Sequence, residues 1–140
     1  MASLEREMNS IKMLDTMYSK FIRMRAIARC GGCERCLSAK RDIIKENGNI
    51  FPSWKQLQCS HFFGRAKHSV RWDEDNAAGL CGACHLYFTA HPYEHGNWIQ
   101  ERLGDRFPFL VARAYITHPK PDKESIRLYL QEMIKGNIKS

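Results

Sequence analysis

Apolar positions near the start of the chain recur at helical spacing. Ile11, Leu14, Met17, Tyr18, Phe21, Ile22 and Met24 fall on one stripe of a 3.6-residue period. The pattern predicts a helix from about Asn9 to Arg29, with Asn9 or Ser10 as N-cap and Gly31-Gly32 as its stop. Periodicity then lapses. Leu37 to Ser53 reads as an inserted loop with a turn at Asn47-Gly48-Asn49. Lys55 to Phe62 alternates and predicts a strand, and Val70-Arg71-Trp72 predicts a second short one, followed by a turn at Asp73 to Asn76. His85 to Phe88 begins a short helix. Another runs from Pro92 to Leu103, with Gly104 as its stop. An apolar segment, Phe107 to Ile116, is broken at Thr117 to Pro121. A last amphipathic helix then carries Ile126, Leu128, Leu130, Met133 and Ile134.

The 140 residues suffice for one domain, and 44% hydrophobic with 26% charged residues is a globular composition rather than a disordered one. No apolar run reaches the roughly 20 residues that span a bilayer, so no membrane partner is expected. The opening residues carry Glu5 and Glu7 and no apolar stretch, unlike a secretory signal, and the expected location is the cytoplasm. An excess of 22 Lys+Arg over 15 Asp+Glu, a net charge of +7, points toward a polyanion such as nucleic acid.

The six cysteines sharpen the picture. In a reducing compartment they are metal ligands or thiols rather than disulfides. Cys33-Glu34-Arg35-Cys36 and Cys81-Gly82-Ala83-Cys84 are two CxxC knuckles, whose tight turns place paired thiolates on a shared ion. Together they complete the four-sulfur shell of a structural Zn2+. Cys30-Gly31-Gly32-Cys33 also satisfies the spacing, so spacing alone leaves the first pair open. The stretch between the knuckles is longer than the roughly 15–20 residues of a compact zinc ribbon. In it and just beyond it lie His61, Asn76 and His85, an order that suits a hairpin followed by a helix, with the two imidazoles facing one another. One could activate water and the other hold a metal ion, as phosphodiester hydrolysis requires.

At these residues the chain resembles the HNH (ββα-metal) nucleases, and among them most closely the phage NinG/Rap recombination endonucleases. The resemblance covers roughly residues 10–104. It rests on Leu14 to Arg25, Cys33-x-x-Cys36, Trp54-Lys55, Cys59-Ser60-His61-Phe62, Arg71-Trp72-Asp73-Glu74-Asp75-Asn76 and Cys81-x-x-Cys84. It implies an α+β fold: a small zinc-stabilised ββα-metal core over residues 30–104, flanked by an N-terminal helix (1–29) and a C-terminal helical extension (105–140). By position it implies His61 as general base, Asn76 as the residue that orients its loop, and His85 as a ligand of a catalytic divalent metal, Mg2+ or Mn2+. It favours Cys33, Cys36, Cys81 and Cys84 as the zinc ligands. Many such enzymes carry an acid or a second histidine immediately before the base, where this chain has Ser60. Asp73, Asp75, His68, His91 and His95 are the alternatives for the missing ligand.

Arg65, Lys67 and Arg71, in a loop free of acids, are the expected DNA contacts, and Trp54 and Trp72 are expected in the core. The implied function is metal-dependent cleavage of branched DNA intermediates, in which a homodimer built on the outer helices supplies two sites. The alternative is a non-catalytic zinc-finger module that binds DNA.

Overall fold

The computed structural model describes residues 2–136 and mixes α-helices with small antiparallel sheets. Met1 and residues 137–140, the outer ends of the expected first and last segments, lie outside the described residues. Helix α1 (Ala2–Cys30) starts well before the expected cap, so Asn9 and Ser10 lie inside it. The expected loop after the first knuckle contains a hairpin of its own, β1 (Ile43–Ile44) and β2 (Ile50–Phe51), closed at the Asn47-Gly48 turn.

The central unit is β3 (Gln58–His61), β4 (Ala77–Leu80) and helix α2 (Gly82–Ala90). The strands pair antiparallel, with Gln58 opposite Leu80 and His61 opposite Ala77. The second strand is therefore Ala77–Leu80. Val70 instead ends a 3₁₀ turn (His68–Val70), and Arg71 and Trp72 follow it outside any strand. The reason is burial. All four β4 residues are enclosed, so the strand reads as a short apolar run with no alternation to reveal it.

Helix α1 crosses one face of this hairpin and α2 packs on the other. Contact with α1 is so close that a Cβ on Gly79 would fall 2.6 Å from the Ala26 Cβ. A stripe of polar side chains on α1 splints the segment before β4. The Arg71 Nη2 donates to the Asp15 carboxylate at 2.7 Å, and the Trp72 Nε1 donates to it at 2.9 Å. The Tyr18 hydroxyl donates to the Asp73 carbonyl. Arg25, buried, donates to the carbonyls of Glu74 at 2.7 Å and Ala77 at 3.0 Å. Two stretches distant in sequence are thus one mechanical unit.

Helices α3 (Pro92–Leu103), α4 (Phe107–Ala114) and α5 (Lys123–Lys135) complete the chain. Leu14, Tyr18, Phe21, Ile22, Trp72 and Leu130 form one core layer, which α5 covers from outside. Trp72 is in the core as expected, and much of the apolar stripe of α1 is covered within the chain itself. Val70, Ile99, Leu103, Leu110 and Ala114 form a second layer under the tail. No helix among the described residues is long and apolar enough to cross a membrane.

Replacing Gly79 with Ala is expected to lower stability by about 1–3 kcal/mol through overpacking. Urea denaturation measures it, and adding Ala26→Gly should restore most of the loss.

Candidate metal centre and flanking histidines

The first knuckle leaves α1 through a turn that only glycine permits at one position. A Cβ on Gly32 would meet the Ser38 carbonyl oxygen at 1.9 Å. Cys33 N–H donates to that carbonyl and Leu37 N–H returns to the Cys33 carbonyl, closing the loop. Glu34 fastens it to β4: its N–H donates to the Gly79 carbonyl at 3.0 Å, and its carboxylate accepts from Gly79 N–H at 2.6 Å and from Arg102 at 2.7 Å. The second knuckle lies at the start of α2.

Cys33, Cys36, Cys81 and Cys84 meet where these turns converge, their sulfurs all within 4.8 Å of one another. Cys36 and Cys81 Sγ stand 3.8 Å apart, close to the edge of a tetrahedron with metal–sulfur bonds of about 2.3 Å. The donor set and spacing fit a structural ion such as zinc. Hydrogen bonds with Ser38 pull the Cys36 thiol down to about 6, so a thiolate is at hand at neutral pH. The Arg35 Nη1 donates to Cys84 Sγ at 3.4 Å and balances thiolate charge. The ambiguity of the first pair is resolved here: Cys30 bonds the Ala26 and Gly32 carbonyls and stands outside the cluster. Cys59 also stands apart. Burial against α1 pushes its thiol up to about 12, as befits a packed cysteine.

His61 ends β3 with its ring 5.4 Å from that of Tyr18. Burial lowers its imidazole below the ordinary value, and the positive charge of Arg65 lowers it further. Asn76 is fully buried and clasps the loop between the strands. Its Oδ1 accepts from Phe63 N–H at 2.8 Å, and its Nδ2 donates to the carbonyls of Phe63 at 2.9 Å and Val70 at 3.0 Å.

His85 is in the first turn of α2. The ring neighbour of His61 is Tyr18 of α1, and strand alternation accounts for it. Cys59 and His61 share the α1 side of β3, and Ser60 is turned the other way. His95, from α3, is buried with its ring stacked on Phe88 at 4.6 Å. Burial lowers the His95 imidazole below its ordinary value, and the charge of His85 lowers it further.

The other candidate ligands are occupied or remote. Asp73 pairs with Arg113 at 2.6 Å, and Asp75 with Arg106 at 3.2 Å. His91 Nδ1 is bonded to the Tyr87 carbonyl and its ring stacks on Tyr87. His68 is exposed on the 3₁₀ turn.

Of the expected DNA contacts, Arg65 is exposed, Lys67 lies 4.1 Å over the Tyr115 ring, and Arg71 is committed to Asp15. A second cationic group gathers around Trp54. Lys20, Arg23 and Lys55 surround the half-buried Trp54 ring at 5.4, 4.8 and 5.6 Å. Helical spacing of Lys20 and Arg23 was the available signal; their convergence on Trp54 depends on how α1 lies across the hairpin.

No family model, curated protein or solved structure matches the chain.

Metal analysis of the purified protein should find about one zinc per chain, retained in Cys30→Ser and lost in Cys36→Ser or Cys84→Ser. Asn76→Ala should cost about 2–4 kcal/mol, because it strips three buried hydrogen bonds and leaves backbone partners unsatisfied. Thermal or urea unfolding of the metal-loaded protein measures this.

Proposed function

We propose that the chain is a divalent-metal-dependent DNA endonuclease of the HNH (ββα-metal) type. The observation that carries the reading is the order of parts around one hairpin. His61 stands at the end of β3, Asn76 clasps the returning loop, and His85 follows the second knuckle in the first turn of α2. The four thiols pin that helix beside the strands.

In this reading the scissile phosphate seats over the end of β3, where the α1 and α2 sides of the hairpin meet. His61 is the general base. A buried imidazole that is neutral at pH 7 accepts the proton of an attacking water, and a loop held by Asn76 keeps the ring in place. Arg65 lends positive charge to the phosphate. A divalent ion at His85 would supply charge compensation for the phosphate and its leaving oxygen. The cations around Trp54 extend the phosphate-binding surface along α1. Symmetric cutting of branched DNA calls for two sites, and a twofold homodimer supplies them; Phe109, Tyr115 and Ile116 are exposed and available for such a contact.

The same Trp54 patch also favours the second reading, a zinc-stabilised module that binds DNA without cutting it. Incubation with plasmid and four-way junction DNA, with and without added divalent metal, separates the two. The nuclease reading predicts metal-dependent cleavage that falls on the order of 10²–10⁴-fold in His61→Ala, with zinc content and fold intact. Binding without cleavage in any metal would leave the module reading.

The pH profile is a further check. Because His61 is held below its ordinary value of about 6.5, protonation silences it only in more acidic solution. The acid limb of kcat/KM should therefore lie below that pH, with activity lost as the pH falls through it. Raising Arg65→Gln should move the limb upward, since it removes a charge that opposes protonation.

A further inference from the structure

Residues 41–50 are exposed without exception, so the β1–β2 hairpin stands out from the body of the fold. It is nonetheless pinned at both ends. At its tip Lys45 N–H donates to the Asn49 carbonyl at 2.7 Å, and Asn49 N–H donates to the Asn47 side chain at 2.9 Å. Gly48 closes that turn with a φ of +84°, a conformation that favours glycine. At its root the Asp42 carboxylate accepts from Ser53 N–H at 2.8 Å, and Gln56 donates to the Arg41 carbonyl at 2.7 Å. Ile44 lies opposite Ile50 and Ile43 opposite Phe51, so each face bears one apolar cross-strand pair. Ile43, Ile44 and Ile50 are 51%, 75% and 60% exposed. A strand pair that packs on its own domain is apolar on one face. This one is a blade, apolar on both.

We infer that this hairpin is a wedge that enters DNA at a branch point, its isoleucines covering the base faces exposed between two arms. The wedge rests on the reading that the chain binds DNA, and needs no cleavage. Charge identifies the partner. The root of the blade leads through Pro52 and Ser53 to Trp54, whose ring has Lys20, Arg23 and Lys55 at 5.4, 4.8 and 5.6 Å. Lys45 lies 5.7 Å over the Phe51 ring. Cations at the root and apolar side chains beyond them suit a partner with phosphates outside and bases within. Thickness identifies the place. Successive bases of a strand rise about 3.4 Å, whereas a strand layer with side chains on both faces is about 10 Å thick. The blade is too thick for an unbroken stack and fits where stacking is already interrupted, at a fork or junction. Base faces exposed there are flat and apolar, and covering them recovers part of what stacking gives.

Fluorescence anisotropy with zinc-loaded protein and no other divalent metal tests this, comparing a forked DNA with a continuous duplex of the same length. The native chain should prefer the fork by about tenfold. Ile44→Ser combined with Ile50→Ser, both at exposed positions, should bring fork affinity down to that of the duplex. Zinc content, unfolding temperature, duplex affinity and salt dependence should stay unchanged in that variant. Lys20→Gln combined with Arg23→Gln should instead weaken both DNAs by the same factor and flatten the salt dependence. Equal native affinity for fork and duplex, or a fork preference that survives the serine pair, overturns the wedge. So does a serine pair that turns a dimer into a monomer with the preference intact, which would make the blade a contact between copies. Fork preference lost in the serine variant, with no DNA cut in any metal, removes the nuclease reading and leaves the wedge standing. Metal-dependent cleavage with the fork preference unaltered in that variant does the reverse.

Discussion

Two turns of the chain, one leaving α1 and one entering α2, must converge until four sulfurs lie within reach of a single ion. Most of the central architecture follows from that constraint. The first turn carries Glu34, whose backbone and carboxylate both engage Gly79 of β4. The second starts α2, so the helix direction is set where the thiols meet. With both turns fixed, the β3–β4 hairpin is held at one end by the cluster and along one face by α1. A hairpin of this size with nothing packed on it is marginal in water, and here packing, with a thiol cluster that could ligate an ion, stands in for length.

At the other end of the hairpin polar side chains hold the chain in place. Asp15, Tyr18 and Arg25 of α1 hold Arg71, Trp72, Asp73, Glu74 and Ala77, while Asn76 ties the loop to itself. Arg113 and Arg106 secure Asp73 and Asp75 from the tail side. Such a network is costly to leave half-satisfied, which favours a single loop conformation. His61 stands beside it, shielded enough to stay neutral.

Much of this was legible in the sequence. The stripe on α1, the break at Gly31-Gly32, the strand ending at His61 and the Pro92–Leu103 helix all follow from period and punctuation. The two knuckles announced the thiol cluster, although spacing alone did not choose between Cys30 and Cys36. What escaped reading did so for physical reasons. Ala77–Leu80 is built of small and apolar residues because it is squeezed between two helices, and it therefore lacks the alternation and branched side chains of a surface strand. The β1–β2 hairpin consists of two-residue strands, too short for any periodic signal. The stacking of His95 on Phe88 follows from the packing of α3 on α2, which is not a local property of the chain.

The central claim is that the four-thiol cluster and its ion hold the hairpin and α2 together as one unit. Hydrogen exchange, followed residue by residue before and after stoichiometric zinc release by a thiol-specific reagent, tests it most directly. The account predicts that protection collapses together in the Cys33–Ser38 loop, β3, β4 and α2 as the ion leaves, while the α1–α5 pairing, built on Leu14, Ile22 and Leu130, is lost later or less. Protection of β3, β4 and α2 that is unchanged after the ion has gone would contradict it.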